Sequence, residues 1–549
     1  MTDIPRFDES HDVIIIGAGS SGSALAGRLS EDPGTSVLVL EAGADVNNWL
    51  GNVPTAAVLM VPSKLHNYAF ETVPQPGLNG RRGYVPRGKM LGGSSGINAM
   101  VYIRGQREDY DAWAALGNSG WGWNDVLPHF IKSEGNDSFG APLHGQAGPL
   151  KVSQLRSDNP LKDAWVAAGR EAGHVINADF NGESQEGIGI YQVTQDRGER
   201  CNAARAYLRP HLQRPNLRVT PNAQVQRILF DGRRAIGVEV KLGGQTRRLQ
   251  ARREVVLAAG AIQSPQLLML SGVGDAAQLQ AHGIEVRHHL PGVGANLQDH
   301  PDYVFGLHSK SLDSFGISAG GGLAFWRAVK RYRQERRGML TSNFAEGGGF
   351  LRTSADQSRP DVQLHFVVAA VQDHARKLSL GHGLSCHVCL LRPKSRGTVT
   401  LACREVGAAP RIDPAFLQHP DDVAQMVAGF KMTRQILNQP SLRAHWTQEM
   451  WGADVHSDAD IEALLRQRVD TIYHPVGTCK MGVDAMAVVD PQLRVHGLQG
   501  LRVVDASIMP NLVSGNTNAP AMMIGEKAAQ MMQAAAREPE AAVMLAQAA

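Results

Sequence analysis

Three glycines near the N-terminus have the spacing that a chain needs to bind a pyrophosphate group. Gly17, Gly19 and Gly22 follow the apolar run Val13–Ile16, a pattern typical of a buried strand that turns directly into a helix. The first glycine permits the turn, the second lets backbone approach the phosphates, and the third lets helix and strand pack closely. Backbone amides at a helix N-terminus attract phosphates. The sequence therefore predicts a dinucleotide site here.

A carboxylate after the next apolar run narrows the choice of nucleotide. Glu41 follows Val37–Leu40, and a carboxylate at this place accepts hydrogen bonds from ribose hydroxyls. It would repel a 2′-phosphate, so NADP is not expected. This pattern alone does not distinguish NAD from FAD.

A second glycine-rich block, GKMLGGSSGIN, begins at Gly88 and distinguishes between these cofactors. The run from Gly88 to Asp111 resembles the first signature of the glucose–methanol–choline (GMC) oxidoreductases, an FAD family. The family's later motifs resemble, in the same order, Gly260–Gly274, His474–Thr478, Asp505–Pro510 and Asn516–Pro520. The resemblance covers nearly the whole chain, and within the family it is strongest to bacterial FAD-dependent alkanol dehydrogenases and choline dehydrogenases.

The resemblance implies two catalytic residues. His474 matches the family's catalytic histidine, and a neutral imidazole is suited to take the alcohol proton because its ordinary pKa of about 6.5 lies near working pH. Asn518 occupies the second catalytic position, where its amide can bond the substrate oxygen. Asn518 could instead cap the helix that begins near Pro520, and the two roles are compatible.

The resemblance also implies a set of FAD-binding residues. They are Gly17, Gly19, Ser20, Ser21, Gly22, Glu41, Ala42, Arg87, Leu91, Gly92, Gly93, Asn98, Ala99, Met100, Val101, Val225, Ala259, Asp505, Ala506, Thr517 and Asn518. Ile97 stands where some relatives carry a histidine linked covalently to the flavin. Isoleucine cannot form that bond, so we expect FAD to be bound non-covalently.

Glu346 is a candidate substrate residue. It resembles a position that faces the quaternary ammonium group in choline-oxidising relatives, where a carboxylate favours a cationic alcohol. Relatives that oxidise neutral alkanols have the same glutamate, so Glu346 does not decide specificity. The alternative role is a buried structural ion pair.

The elements that position these residues are scattered along the chain. The opening β–α–β unit, Val255–Gly260 and Leu501–Asp505 predict one parallel sheet, with a hairpin over 219–241 beside it. Further strands are predicted at Val362–Val368, Leu384–Leu391 and Thr398–Leu401. We therefore expect an α/β Rossmann-like FAD-binding domain with a parallel sheet (residues 11–155, 218–300 and 469–535). The resemblance implies that it is intermeshed with an α+β substrate domain containing an antiparallel sheet (156–217 and 301–468), followed by an Ala-rich tail (536–549).

The composition is that of an ordinary globular protein. The 549 residues are 43% apolar and 19% charged, and the net charge of +3 gives no reason to expect nucleic-acid binding. We find no apolar run long enough to cross a membrane and no signal-peptide pattern, and so expect a cytoplasmic protein. The five cysteines do not suggest a disulfide framework. Cys386 and Cys389 lie on a predicted strand, where positions three apart face opposite sides, so no metal site is expected.

The segment Leu323–Arg337 predicts a basic amphipathic helix. An apolar stripe that includes Trp326, Val329 and Tyr332 lies among six cationic side chains. Such a helix can lie on an anionic membrane surface, and peripheral contact with the inner membrane is a candidate interaction. The alternative is a surface helix that packs its stripe on the core.

Together these features predict an FAD-dependent enzyme that oxidises primary alcohols, aliphatic or aromatic, to aldehydes and passes the electrons to a quinone-type acceptor. Three alternatives stay open. The first is an alcohol oxidase that uses oxygen and releases hydrogen peroxide. The second is a choline dehydrogenase. The third is a hydroxynitrile lyase, which uses the same fold and FAD without net oxidation.

Overall fold

The computed structural model describes residues 6–377 and 381–548. Its first sheet has seven strands, six of them in a continuous path. In spatial order these six are Leu217–Thr220, Val37–Leu40, Glu9–Ile16, Gln245–Leu257, Arg234–Leu242 and Gln224–Asp231, and Leu501–Val503 pairs with Gln245–Leu257.

This sheet is mixed, whereas the sequence indicated a parallel one. Glu9–Ile16 pairs in parallel with both neighbours. The predicted hairpin is present as Gln224–Asp231 and Arg234–Leu242, and it adds antiparallel strands to the same sheet. The cause is the length of Gln245–Leu257, whose 13 residues extend beyond the parallel part so that its first half pairs with the hairpin. The apolar run Val13–Ile16 is buried throughout, as expected for a strand covered on both faces.

The second sheet is antiparallel. Its main path runs through Gln448–Glu449, Pro301–Ser309, Gly381–Leu390, Val362–Val367, Ala345–Leu351 and Gly187–Ile190. Two short strands, Gly316–Ile317 and Asp470–Thr471, pair with Gly381–Leu390 and Pro301–Ser309 respectively. The strands predicted at Val362 and Leu384 are therefore present, whereas Thr398–Thr400 forms a separate two-stranded sheet with Arg411–Asp413.

Helices cover both sheets. Those of nine residues or more are Ser20–Leu29, Arg107–Ala115, Trp123–Ser133, Leu161–Glu171, Gly260–Leu270, Ala319–Glu335, Pro420–Leu437, Asp458–Arg468 and Asn518–Ala548. The last helix, which includes the Ala-rich tail up to Ala548, crosses the first so closely that a Cβ at Gly525 would lie 2.4 Å from the carbonyl oxygen of Ser21. Within the described ranges, no helix is both long and apolar enough to cross a bilayer.

Replacing Gly22 by alanine should destabilise the protein. A Cβ at Gly22 would lie 2.0 Å from the carbonyl oxygen of Gly17, so the first helix would have to move away from its strand, and overpacking of this kind costs about 1–3 kcal/mol. Urea unfolding followed by tryptophan fluorescence measures the loss. Gly407→Ala is the matched control, because a Cβ there meets nothing within 4 Å. An unfolding midpoint for Gly22→Ala equal to that of the control would contradict this interpretation of the contact.

Candidate active site

A cavity of about 1260 Å³ is lined by residues of both sheets. Ile16 and Leu40 come from the first sheet, and His365, Val367 and His387 come from the second. The cavity is therefore enclosed by elements that are far apart in the sequence, as expected for a site between two layers.

Most of the residues predicted to bind the cofactor line this cavity. They are Gly17, Gly19, Ser20, Ser21, Glu41, Ala42, Arg87, Gly93, Asn98, Ala99, Met100, Val101, Val225, Ala259, Asp505, Ala506, Thr517 and Asn518. Gly22, Leu91 and Gly92 are not in the wall. Gly22 packs on the Gly17 carbonyl and Leu91 belongs to the core, while the backbone N–H of Gly92 donates to the Ala18 carbonyl at 2.8 Å.

The two glycine-rich blocks meet at one wall of the cavity. A Cβ at Gly93 would lie 2.8 Å from the Cα of Gly19, so the two backbones are in close contact. A Cβ at Gly19 itself would have the Ala258 carbonyl oxygen, at 3.9 Å, as its nearest neighbour. The first helix begins at Ser20, and the residue before it, Gly19, has no side chain that could cap the backbone amides of the first turn. This end of the helix is therefore suited to hold an anionic group such as a pyrophosphate.

Glu41 presents its carboxylate at the same wall. The backbone N–H groups of Ala18 and Gly43 donate to its two oxygens at 3.0 and 2.8 Å. Burial raises the pKa of Glu41 to about 7, although these two hydrogen bonds act in the opposite direction. The carboxylate is thus held in one orientation, with acceptor capacity left for a ribose hydroxyl. Together with the open side of Gly19, this arrangement fits the adenosine end of FAD.

Asp505 connects the second signature to the closing motifs. Its carboxylate accepts hydrogen bonds from the Gly260 N–H at 2.9 Å, the Ser264 hydroxyl at 2.5 Å and the Ser507 N–H at 2.8 Å. These bonds hold the start of the helix Gly260–Leu270 against the segment that leads to the last helix. Motifs 245 residues apart in the sequence are thereby fixed on one side of the cavity.

Asp299 positions the loop that carries His474. The Asp299 carboxylate accepts the backbone N–H of His474 at 2.9 Å and the Thr471 hydroxyl at 2.5 Å. His474 is 8% exposed and lines the cavity. Burial lowers the pKa of His474 well below its usual value, so the imidazole is neutral at physiological pH.

The hydrogen bonds of His474 go to two residues that sequence reasoning missed. Its Nδ1 lies 3.0 Å from the Nδ1 of His300, and its Nε2 lies 3.2 Å from the Nδ2 of Asn516. Asn516 stood in a recognised motif, but nothing in the pattern selected it over Asn518. His300 gave no signal at all, because it lies 174 residues from its partner.

Asn518 lies at the cavity wall and begins the last helix. Its Oδ1 accepts the hydroxyl of Ser20 at 2.7 Å. The structure thus joins the N-termini of the first and last helices at the site.

His365 also lines the cavity, and burial lowers its pKa to about 3.

Glu346 does not line the cavity, contrary to the prediction that it faces the substrate. Its neighbours Phe344 and Ala345 are in the wall, but Glu346 itself is not, and the strand pairing is irregular between Ala345 and Gly347. The Glu346 carboxylate accepts the Ser342 hydroxyl at 2.6 Å, and burial raises its pKa to about 7. Among the described residues it has no ion-pair partner, so the alternative of a buried ion pair is not observed either.

The basic helix predicted at the sequence level spans Ala319–Glu335 and forms part of the cavity mouth. Tyr332 is buried against the protein, whereas Phe325 and Trp326 are 56% and 64% exposed. The apolar stripe is therefore divided into a packed half and an exposed half. The side chain of Leu323 lies outside the described residues.

Half of the cationic side chains of this segment are paired within the protein. Arg331 and Arg337 both bind Asp158, each at 2.7 Å, and Arg336 binds Glu199 at 2.9 Å. These ion pairs attach the C-terminal end of the helix to neighbouring loops.

Comparison with known proteins agrees with this architecture. Profiles of the N- and C-terminal regions of GMC oxidoreductases match residues 11–302 and 393–525. The chain is 48% identical to an alcohol dehydrogenase (acceptor) of Pseudomonas putida, over 95% of both chains. It is 42% identical to an oxygen-dependent choline dehydrogenase of Sinorhizobium medicae, over 94% of both. The crystal structure of a pyridoxine 4-oxidase from Mesorbium loti superposes with a TM-score of 0.85 at 31% identity, covering 95% of this chain and 98% of that one. On these matches and the geometry of its cavity, this chain belongs to the GMC oxidoreductase family.

Proposed function

We propose that this protein oxidises primary alcohols, aliphatic or aromatic, to aldehydes with FAD as the hydride acceptor and passes the electrons to a quinone-type acceptor. The observation that carries the proposal is the neutral imidazole of His474 in the wall of the cavity that Gly19 and Glu41 also line. The Pseudomonas putida relative is named an alcohol dehydrogenase (acceptor), which supports both an alcohol substrate and a separate electron acceptor.

The residues of this chain fit FAD without a covalent link. The uncapped helix start at Ser20 would hold the pyrophosphate and Glu41 the ribose, while Asn98 and Met100 would lie along the ring system. Ile97, also in the wall, has no nucleophile to bond to the flavin. When bound, FAD supplies the hydride acceptor. In this assignment the segments 11–155, 218–300 and 469–535 bind the cofactor, and the segments 156–217 and 301–468 bind the substrate.

His474 would take the proton of the alcohol hydroxyl. Because burial keeps the imidazole neutral, it can accept this proton at pH 7 without first losing one. The amide Nδ2 of Asn516, which lies 3.2 Å from the Nε2 of His474, would donate to the substrate oxygen as negative charge develops there. Asn518, whose Oδ1 is held by Ser20, would lie at the pyrophosphate end of the cavity instead. The apolar wall that includes Phe344 and Val367 would bind the hydrocarbon part and exclude water.

Choline is the second candidate substrate, since relatives 42% identical to this chain are named oxygen-dependent choline dehydrogenases. The position of Glu346 favours neutral alcohols instead, because this buried carboxylate is not in the cavity wall and is bonded to the Ser342 hydroxyl. Oxygen is the alternative to a quinone as the acceptor of the electrons.

The proposal includes a peripheral contact with the inner membrane at the cavity mouth. Phe325 and Trp326 are exposed there, and among the described residues Arg327, Lys330 and Arg333 form no ion pair. Exposed aromatic side chains with unpaired cations are suited to an anionic bilayer surface. A contact at this place would open the cavity towards apolar alcohols and quinones dissolved in the bilayer.

Anaerobic mixing with alcohols tests the reaction directly. The FAD-loaded protein should lose its oxidised-flavin absorbance on addition of primary alcohols, from short alkanols through octanol to benzyl alcohol, and more slowly or not at all with choline. Addition of a quinone should restore the absorbance, whereas air should restore it slowly. Rapid recovery in air with release of hydrogen peroxide would identify an oxidase. No bleaching by any alcohol would contradict the proposal and favour the lyase.

The same assay tests the role of His474. His474→Ala should retain FAD but reduce its flavin about 10²–10⁴-fold more slowly, because a positioned general base contributes that much. His456→Ala is the control, since His456 is an exposed histidine that does not line the cavity. Equal rates for the two variants would remove His474 from the mechanism.

Vesicle sedimentation tests the membrane contact. The protein should sediment with vesicles containing phosphatidylglycerol at low salt and be released as salt rises, because the attraction between exposed charges is screened. Replacing Phe325 and Trp326 together by serine should abolish binding, while the exposed pair Val175 and Val483, replaced likewise, should leave it unchanged. Failure of the wild-type protein to bind such vesicles would exclude this part of the proposal.

A further inference from the structure

A continuous chain of hydrogen bonds passes through His474, and both of its ends are backbone carbonyls. At one end the Nε2 of His300 lies 3.1 Å from the carbonyl oxygen of Leu391. At the other end the hydroxyl of Tyr191 donates to the carbonyl oxygen of Leu364 at 2.6 Å. A carbonyl oxygen only accepts hydrogen bonds, so each end fixes the direction in which the protons of the chain point.

The direction of each hydrogen bond, from donor to acceptor, can be followed from the Leu391 carbonyl. Because the carbonyl accepts, the Nε2 of His300 must carry its proton. Burial lowers the pKa of His300 to about 3, so this ring is neutral and its Nδ1 is a lone pair. The Nδ1 of His474, 3.0 Å away, must then be the protonated partner. Since His474 is itself neutral, its Nε2 is left unprotonated.

The hydrogen bonds at the Leu364 end independently indicate that the Nε2 of His474 is unprotonated. Because Tyr191 donates to Leu364, its oxygen accepts the amide N–H of Gln363 at 3.1 Å. The same amide nitrogen donates to the Oδ1 of Asn516 at 3.0 Å, which fixes the orientation of the Asn516 amide. Its Nδ2 therefore donates towards His474, and the Nε2 of His474 at 3.2 Å must be the acceptor.

We propose that His300 is a positioning residue that holds His474 in the tautomer protonated at Nδ1, so that the basic lone pair of Nε2 points into the cavity. His300 is fully buried and does not line the cavity, so it acts on the reaction only through His474. The ring planes of the two histidines are nearly perpendicular, at 88°, which directs the Nδ1–H of one ring at the lone pair of the other. This inference rests on the proposed function, since it concerns the base of that reaction.

The choice of tautomer matters because only a neutral ring with an unprotonated Nε2 can accept the alcohol proton from the cavity side, in place of the hydrogen bond from Asn516. Without an acceptor at Nδ1 the proton can move to Nε2, and the ring is also free to turn. In serine proteases, where a carboxylate holds the catalytic imidazole in the correct tautomer, loss of that function lowers kcat by about 10⁴-fold. Here the partner is an uncharged imidazole, so we expect a smaller effect of about 10- to 100-fold, within the contribution of a general base.

Three variants of the FAD-loaded protein test the inference by anaerobic flavin reduction. His300→Leu, which has no acceptor, should reduce about 10- to 100-fold more slowly at saturating alcohol, with unchanged alcohol affinity. His300→Asn can place a carbonyl oxygen near the former Nδ1 and should recover most of the rate. His129→Leu, which removes a buried histidine outside the cavity, is the matched control and should reduce at the wild-type rate. A wild-type rate for His300→Leu, or an equal loss for His300→Asn and His300→Leu, would overturn the inference.

A spectroscopic measurement on the unmodified sequence applies even if His300→Leu fails to fold. In protein labelled with ¹⁵N-histidine, the ring signals of His474, assigned by their absence in His474→Gln, should show protonation at Nδ1. Protonation at Nε2 would overturn the inference whatever the enzyme does with alcohols. Conversely, if His474 is protonated at Nδ1 but none of the alcohols reduces the flavin, this inference stands and only the proposed function is refuted.

Discussion

The contact between Gly19 and Gly93 is the constraint on which the rest of the site depends. It brings the turn after the first strand within backbone distance of the second glycine block, and no side chain fits between them. Arg200 fixes the far side of that block, since its guanidinium donates to the Asn98 carbonyl at 2.7 Å and to the Ser95 carbonyl at 3.2 Å. Burial lowers the pKa of Arg200 to about 9, so these carbonyl contacts compensate for a desolvated cation. This part of the cavity wall is therefore built from backbone, which suits close approach of a large planar cofactor.

Desolvation acts on the chemistry of the same cavity. His474, His300 and His365 all have pKa values lowered by burial, so three imidazoles stay neutral side by side. A cluster of protonated rings at this spacing would repel strongly, and the low dielectric of the site increases that repulsion. Neutral rings can instead form directed hydrogen bonds, in which each nitrogen is either a donor or an acceptor. Burial, together with the neighbouring histidines, thus keeps His474 neutral, and the hydrogen bond to His300 orients its ring.

The sequence allowed the residues that line the candidate site to be predicted more fully than their geometry. The glycines, Glu41 and His474 belong to local motifs whose residue types reflect what a bound nucleotide or a reacting alcohol requires, and all but a few line the cavity. The strands predicted to be parallel do pair in parallel. The hairpin predicted beside them belongs to the same sheet, because the first half of Gln245–Leu257 extends far enough to pair with it. Glu346 was placed at the substrate by resemblance, although it does not line the cavity and its carboxylate is bonded to the Ser342 hydroxyl. Similarity in sequence does not by itself tell what a side chain contacts.

The partners of His474 could not be predicted, for a physical reason. The contacts of Asp299 and His300 with His474 join segments about 175 residues apart, and neither residue type is unusual at its own position. Backbone pairing brings these segments together: Pro301–Ser309 pairs with Asp470–Thr471 in the second sheet, and Gln298 forms a bridge with Val476. The orientation of the His474 ring is therefore a property of the tertiary fold, even though its motif is a property of the local sequence.

The pH dependence of anaerobic flavin reduction by a saturating primary alcohol tests most directly whether His474 acts as a neutral, desolvated base. The base is active when unprotonated, and burial lowers its pKa, so lowering the pH should protonate it only well below its usual value. We predict a rate constant that stays constant as the pH falls from about 8.5 through 6.5 to about 5.5. A tenfold loss of rate for each pH unit below about 6.5 would show that the imidazole titrates as it does in water, and would contradict this description of the site.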